Sequence, residues 1–138
     1  MSVERVNRPR ITTMLRAEIK SIESNDVGPD WKNWVPENST DVIHWFTVSI
    51  GVVGENWSNL FQTAVATPFA GKGRSQMMRK FRGFVVSSYE PDAVEELFRE
   101  YVSGVTGSEW NDIVGTLLEK MFWEYEGMAG SLKSKNSL

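Results

Sequence analysis

Residues 42–68, VIHWFTVSIGVVGENWSNLFQTAVATP, decide the fold of this chain. Apolar residues occupy every second position from 46 to 52, so the first half predicts a half-buried strand that carries Trp45 on its outer face. GENWSN at 54–59 supplies turn residues, and the alternation then resumes until Pro68, which cannot donate to a sheet ladder. Two strands joined by a short connection predict an antiparallel hairpin.

The segments on either side extend this hairpin into an α+β domain. Alternation over residues 15–20 predicts an earlier strand, and FVVSSY at 84–89 predicts a later one. A first helix is expected to begin at Pro91 and a second to be capped by Ser108, before a last short strand in MFWEYEG at 121–127. We therefore expect an α+β fold with one antiparallel sheet of four to five strands and two main helices packed on one face.

Composition limits the class of protein. The chain has 138 residues, which fits one domain, and no cysteine, which excludes disulfides and thiolate chemistry. No apolar run approaches the roughly 20 residues of a membrane helix, and the start has no apolar signal region, so we expect a cytoplasmic protein without membrane contact. We predict a disordered arm at 1–13, a single domain at 14–127 and a disordered tail at 128–138.

The net charge of -3 hides a segregated distribution. Residues 72–82 hold five lysines and arginines and no acid, whereas residues 83–126 hold ten acids against Arg99 and Lys120. A short helical turn is expected at 75–80. The acidic remainder favours basic partners and opposes direct nucleic-acid binding, but an RNA-contacting module that uses the basic 72–82 loop stays as an alternative.

Few residues suit catalysis. His44 is the only histidine, so the usual zinc sites are not expected, and no nucleophile motif surrounds any serine. We predict no catalytic residue, no metal and no cofactor. The alternative is a small carboxylate-dependent enzyme that uses a pair such as Glu95/Glu96 or Glu124/Glu126, although both pairs are expected to meet solvent.

Seven short segments then follow one another in a distinctive order. They are LRAEIKSIESNDV, VPEN, FTVSIGVVGE, TAVATP, GFVVSSYEPDAVEELFREYV, EWNDI and WEYEG. Together they resemble the immunity protein 8 family of bacterial polymorphic toxin systems, over about residues 14–127; GKGRSQMMRK at 71–80 is more basic than the family pattern. The resemblance implies a small cytoplasmic inhibitor that binds a cognate toxin domain by direct protein–protein contact and neutralises it, without catalytic residues of its own.

Two tryptophans in the acidic segment SNDVGPDWKNWVPENSTD at 24–41 are the candidate anchors for such a toxin. Trp31, flanked by charged residues, is expected to be the exposed anchor, and Trp34 to be the better core residue. The alternative is that both indoles cover one end of the core, while the acids solvate the loop. The candidate toxin-binding residues are Asp26, Asp30, Trp31, Trp34, Glu37 and Asp41 in the loop, and Asp92, Glu95 and Glu96 on the first helix as a rival surface. A homodimer through Trp45 is a further hypothesis.

Overall fold

The computed structural model describes residues 14–68 and 82–126. Its elements are, in chain order, β1 (Leu15–Ser24), a 3₁₀ turn (Trp31–Asn33), β2 (Ile43–Val52), β3 (Asn59–Ala66), β4 (Gly83–Val85), α1 (Pro91–Ser103), β5 (Thr106–Gly107), α2 (Trp110–Leu117) and β6 (Phe122–Trp123). The predicted arm, tail and turn at 75–80 lie outside the described residues. Within the described ranges, neither helix has the length and apolar character needed to cross a bilayer.

β1, β2 and β3 form an antiparallel meander at the centre of the sheet. Ile50 of β2 lies opposite Ile19 of β1 on one side and opposite Asn59 of β3 on the other, so β2 is hydrogen-bonded along both edges. Phe46, Val48 and Ile50 are fully buried, because a period of two residues directs them all to the same face. The predicted hairpin is confirmed.

Short strands cover both edges of this meander. The sheet order is β4-β3-β2-β1-β5, with β6 also paired to β3. β4 runs parallel to β3, with Phe84 opposite Val65, so the expectation of a wholly antiparallel sheet is corrected to a mostly antiparallel one. A parallel pair needs a longer connection than a tight turn, and residues 67–82 supply its length. The predicted α+β class with two main helices is confirmed, and the path of neighbouring strands from β4 to β5 contains five strands, as expected.

The first helix packs against this sheet through one stripe. α1 begins at Pro91, as predicted, where the missing N–H costs no hydrogen bond. Val94, Phe98 and Val102 are buried at a spacing of four residues, and the Phe98 ring meets the Phe46 ring edge-on at 5.2 Å. Burial of such a side chain contributes about 2–3 kcal/mol, so this stripe holds α1 on the sheet.

The second helix begins one residue later than predicted. Its cap is Glu109 and not Ser108: the Glu109 side chain accepts the N–H of Asp112, and Asp112 accepts the N–H of Glu109 at 3.1 Å. The Ser108 hydroxyl donates to Asp112 at 2.9 Å. This hydrogen bond, with that from Glu109, lowers the pKa of the Asp112 carboxyl. A reciprocal capping box satisfies two N–H groups, which a lone serine cap does not.

Trp45 lies on the outer sheet face, as its position in the alternation predicts. It is half-buried, and its ring centroid lies 6.3 Å from that of Phe122 in β6. The homodimer suggested for this position stays a prediction.

Candidate functional site

The loop between β1 and β2 carries the predicted site, and a tight turn begins it. The hydroxyl of Ser24, the last residue of β1, accepts the N–H groups of Asp26 at 3.1 Å and Val27 at 2.9 Å. Gly28 follows with a φ of 89°, which favours glycine, and its N–H returns to the Ser24 carbonyl. This turn leaves the Asp26 side chain exposed at the start of the loop.

Trp31 is buried, so its predicted role as the exposed anchor is wrong. Its side chain is 3% exposed, and its ring meets Phe46 edge-on at 5.1 Å. The indole N–H donates to the carbonyl of Ile22 at 3.1 Å, which satisfies the polar end of the ring inside the protein. The structure therefore favours the alternative for Trp31: it closes one end of the core and supports the loop from below.

Trp34 is the more accessible of the two indoles. It is half-buried, with its ring 4.7 Å from His44 and 5.5 Å, edge-on, from Tyr89. The predicted packing of Trp34 against the core is therefore observed at the margin of the core, not inside it. Trp34 thus keeps part of its surface for solvent or a partner.

Lys32 joins the loop to α1. Its ammonium group lies 2.6 Å from Glu95 and 3.0 Å from Asp92, and the other carboxylate oxygen of Glu95 lies 3.1 Å from Nε of Arg99. The hydrogen bond from Lys32 is the main reason that the pKa of Glu95 is lowered, and the same bond raises the pKa of Lys32. The two surfaces that the sequence suggested as rivals are therefore in contact, and two of their acids are partly neutralised.

The remaining predicted acids are exposed. They are Asp26, Asp30, Glu37 and Asp41 in the loop and Glu96 on α1. We call these acids, together with Trp34, Asp92 and Glu95, the loop–helix surface. Its geometry suits the attraction of positive charge, since most of its carboxylates face water.

The lone histidine belongs to a structural pair. Nε2 of His44 lies 2.7 Å from the hydroxyl of Ser24, and both side chains are only 3% exposed. The same hydroxyl already accepts two backbone N–H groups. Burial lowers the pKa of His44, against a smaller opposing effect of Asp26. A substrate would have no access to this pair, so the geometry suits stabilisation of the β1–β2 contact and not nucleophilic attack.

The second carboxylate pair, Glu124 and Glu126, was expected to meet solvent, but both side chains accept hydrogen bonds within the protein. Glu124 accepts the N–H of Leu60 at 2.7 Å, and Glu126 accepts two hydrogen bonds from Arg82 at 2.8 and 2.6 Å. Arg82 also lies over the Phe122 ring at 4.4 Å. Glu124 thus holds the end of the described chain against β3, and Glu126 holds it against the residue that precedes β4. Within the described ranges, no group of three or more His, Asp or Glu side chains could hold a metal ion.

An aromatic cluster at the β2–β3 turn was missed by the sequence reasoning. Trp110 and Trp123 both donate their indole N–H to the amide oxygen of Asn59, at 2.9 and 3.0 Å. Trp57 meets Trp110 edge-on at 4.8 Å, and Tyr125 meets Trp123 at 5.4 Å. The signal available in the sequence was the recurrence of a tryptophan within two residues of an acid, in ENW, EW and WE.

Comparison with protein-family models gives one result that bears on function. The model described as Immunity protein 8 matches residues 17–128, which is most of the chain and includes nearly all of the described elements. Comparison with curated proteins and with solved structures gives no match.

Proposed function

This chain belongs to the immunity protein 8 family, and from that premise we propose that it neutralises a cognate bacterial toxin domain by direct protein–protein contact. The family match over residues 17–128 is the observation that carries the proposal. The chain acts in the cytoplasm, where it obstructs the toxin instead of transforming a substrate. No cofactor or metal takes part in this function.

The loop–helix surface supplies charge that attracts the toxin. Its exposed carboxylates outnumber Lys32, the one base of the loop, and Lys32 already contacts Glu95 and Asp92. A toxin domain that acts on nucleic acid carries basic surface, and complementary charge raises association rates while it excludes partners of like charge. We therefore assign the loop–helix acids to recognition and to the rate of encounter.

The roles that we assign to the two tryptophans of the loop differ from the predicted ones. Trp34, half-buried against His44 and Tyr89, offers part of its indole face beside the acids. Trp31 supports the loop through Phe46 and the Ile22 carbonyl. A loop held in this way loses little conformational entropy on binding, which favours affinity.

Co-expression tests the proposed function. The toxin domain encoded beside this chain is produced under an inducible promoter, with and without the chain, and growth and copurification are measured. We expect rescue of growth and a stable complex with the cognate toxin, and neither with an unrelated toxin as control. Failure of the chain either to copurify with the cognate toxin or to rescue growth would overturn the proposal.

A variant series tests the role assigned to the loop–helix acids. Asp26→Asn, Asp30→Asn, Glu37→Gln and Asp41→Asn are combined, with Glu23→Gln as a control for a single exposed acid on β1. We expect the combined variant to associate with the toxin more slowly at low salt, and to approach the wild-type rate at high salt, since screening removes the advantage. An association rate equal to that of the wild type at low salt would contradict this role.

A further inference from the structure

The aromatic cluster at the β2–β3 turn is preorganised. We call Trp57, Leu60, Trp110, Trp123 and Tyr125, with Asn59 at their centre, the aromatic end. One amide oxygen has two lone pairs, and both are used by the indole N–H groups of Trp110 and Trp123. These hydrogen bonds fix both rings and the orientation of Asn59 in the absence of any partner, which lowers the entropic cost of a contact made there.

The same cluster exposes much apolar surface. Trp57 is 43% exposed, Leu60 44% and Tyr125 42%. Leu60 follows Asn59 in β3 and so lies on the outer sheet face, where it lines one cavity together with Phe122 and Trp123. Exposed apolar side chains that lie near one another mark interaction sites in soluble proteins. Tryptophan and tyrosine are also the residues most enriched among side chains that dominate binding energy.

The charges around the aromatic end are acidic. The three segments that build it, residues 53–62, 108–118 and 121–126, contain five acids and no lysine or arginine. The acids are Glu55, Glu109, Asp112, Glu124 and Glu126.

Among the described residues, four cations come near these segments; Arg16 lies beside Val53, and the other three have partners. The ammonium group of Lys20 contacts Glu18 at 2.7 Å and the backbone carbonyl of Glu55 at 2.8 Å. Arg82 contacts Glu126 at 2.6 Å, and the Lys120 ammonium lies 5.5 Å from the centre of the Phe84 ring. Because Arg82 pairs with Glu126, the acidic border of the indole faces consists of Glu55, Glu109, Asp112 and Glu124.

We propose that the aromatic end is the surface that anchors the toxin domain, through a basic, arginine-bearing patch of that partner; this inference rests on the proposed function. An arginine side chain can stack on an indole face and pair with a neighbouring carboxylate at the same time. A second copy of this chain would bring acids against acids, and a nucleic acid would bring phosphates against them, so charge disfavours both.

The aromatic end and the loop–helix surface therefore have separate roles. The loop follows the end of β1 and precedes β2, whereas Trp57 and Asn59 follow β2, so the two surfaces lie at opposite ends of that strand. A strand of ten residues spans about 30 Å, which exceeds the screening length of about 8 Å at physiological salt. Anchoring contacts act mainly on dissociation, and charges act mainly on association at low salt.

Binding kinetics with single variants test the anchor. An inactive form of the toxin domain encoded beside this chain is immobilised, and association and dissociation rates are measured for the full chain. We expect Trp57→Ala to raise Kd about 30-fold and Leu60→Lys about 10-fold, mostly through faster dissociation. Trp57→Phe should restore part of the affinity. Val85→Ser is the control, because Val85 is 58% exposed on β4 and belongs to neither of the two surfaces, and its Kd should change less than about 3-fold.

The outcomes separate the two proposals. Circular dichroism and thermal unfolding verify that Trp57→Ala and Leu60→Lys are folded. If both folded variants bind like the wild type, the aromatic end is not the anchor, and the proposed function stays intact. The anchor is also overturned if Val85→Ser, and not the aromatic variants, loses affinity. A wild-type chain that neither binds nor rescues growth overturns both proposals. Loss of affinity in the aromatic-end variants, and not in the control variant, supports the inference.

Discussion

The ammonium group of Lys32 lies 2.6 Å from a carboxylate oxygen of Glu95, and this ion pair joins the loop that follows β1 to α1. Removal of Lys32 should therefore change the pKa of Glu95. We expect Lys32→Met to raise the pKa of Glu95 towards its ordinary value, because the hydrogen bond from Lys32 is the main cause of the lowered pKa. Carboxyl titration by NMR measures this. The control Lys20→Met, which removes the partner of Glu18, should leave the pKa of Glu95 unchanged. If Lys32→Met also leaves the pKa of Glu95 unchanged, the Lys32–Glu95 ion pair is not populated.

The buried Ser24–His44 pair predicts a loss of stability in mild acid. Burial lowers the pKa of His44 in the folded state below the ordinary value of 6.5, so the unfolded chain binds the proton more readily. The free energy of unfolding should therefore be greatest above pH 6.5 and fall as the pH drops below it, which urea unfolding at pH 7 and 5.5 can measure.

A non-titrating ring isolates that effect. His44→Phe keeps an aromatic ring beside Trp34 and Phe46, and it removes the only histidine of the chain. The dependence of stability on pH between 7 and 5.5 should shrink in this variant, because Glu95 and Asp112 have lowered pKa values and lose their protons well below that range. An equal dependence in wild type and variant would contradict the assignment to His44.

Tyr89 carries a buried hydroxyl without a hydrogen-bond partner among the described residues. Burial also raises the pKa of this hydroxyl to about 12. We expect Tyr89→Phe to increase the free energy of unfolding by about 1 kcal/mol, since it removes an unsatisfied polar group and keeps the ring. Tyr101→Phe is the matched control: its hydroxyl donates to the Thr116 carbonyl at 3.1 Å, so its removal should cost up to about 1 kcal/mol. Destabilisation by Tyr89→Phe would indicate an ordered water at this hydroxyl.

Two glycines should respond to alanine with opposite signs. A Cβ on Gly51 would lie 2.3 Å from the backbone carbonyl oxygen of Trp57, so Gly51→Ala must displace the turn that carries this indole and should cost about 1–3 kcal/mol. A Cβ on Gly115 of α2 would meet nothing within 4 Å, and Gly115→Ala should stabilise the protein by about 0.5–1 kcal/mol through helix propensity. Chemical denaturation measures both. Similar effects of the two changes would contradict the close approach of Gly51 to Trp57.

Local periodicity by itself determined the larger elements of this protein. The alternation around Phe46 and Ile50 predicted the central hairpin, and the stripe that contains Phe98 predicted α1, because strand and helix periods are written in neighbouring residues. The order of short segments also indicated the family, which the match over residues 17–128 confirms. The limits of α2 were less predictable, since Ser108 and Glu109 compete for the same cap.

Only the tertiary structure decided which side chains of the loop and of the β2–β3 turn face solvent. The charged neighbours of Trp31 predicted exposure, yet Trp31 is buried because Phe46 and the Ile22 carbonyl lie where its ring and N–H can reach them. Asn59 and Trp123 are 64 residues apart and meet because β6 returns to the edge of β3. Such contacts depend on how distant elements pack, and no pattern among adjacent residues encodes that packing.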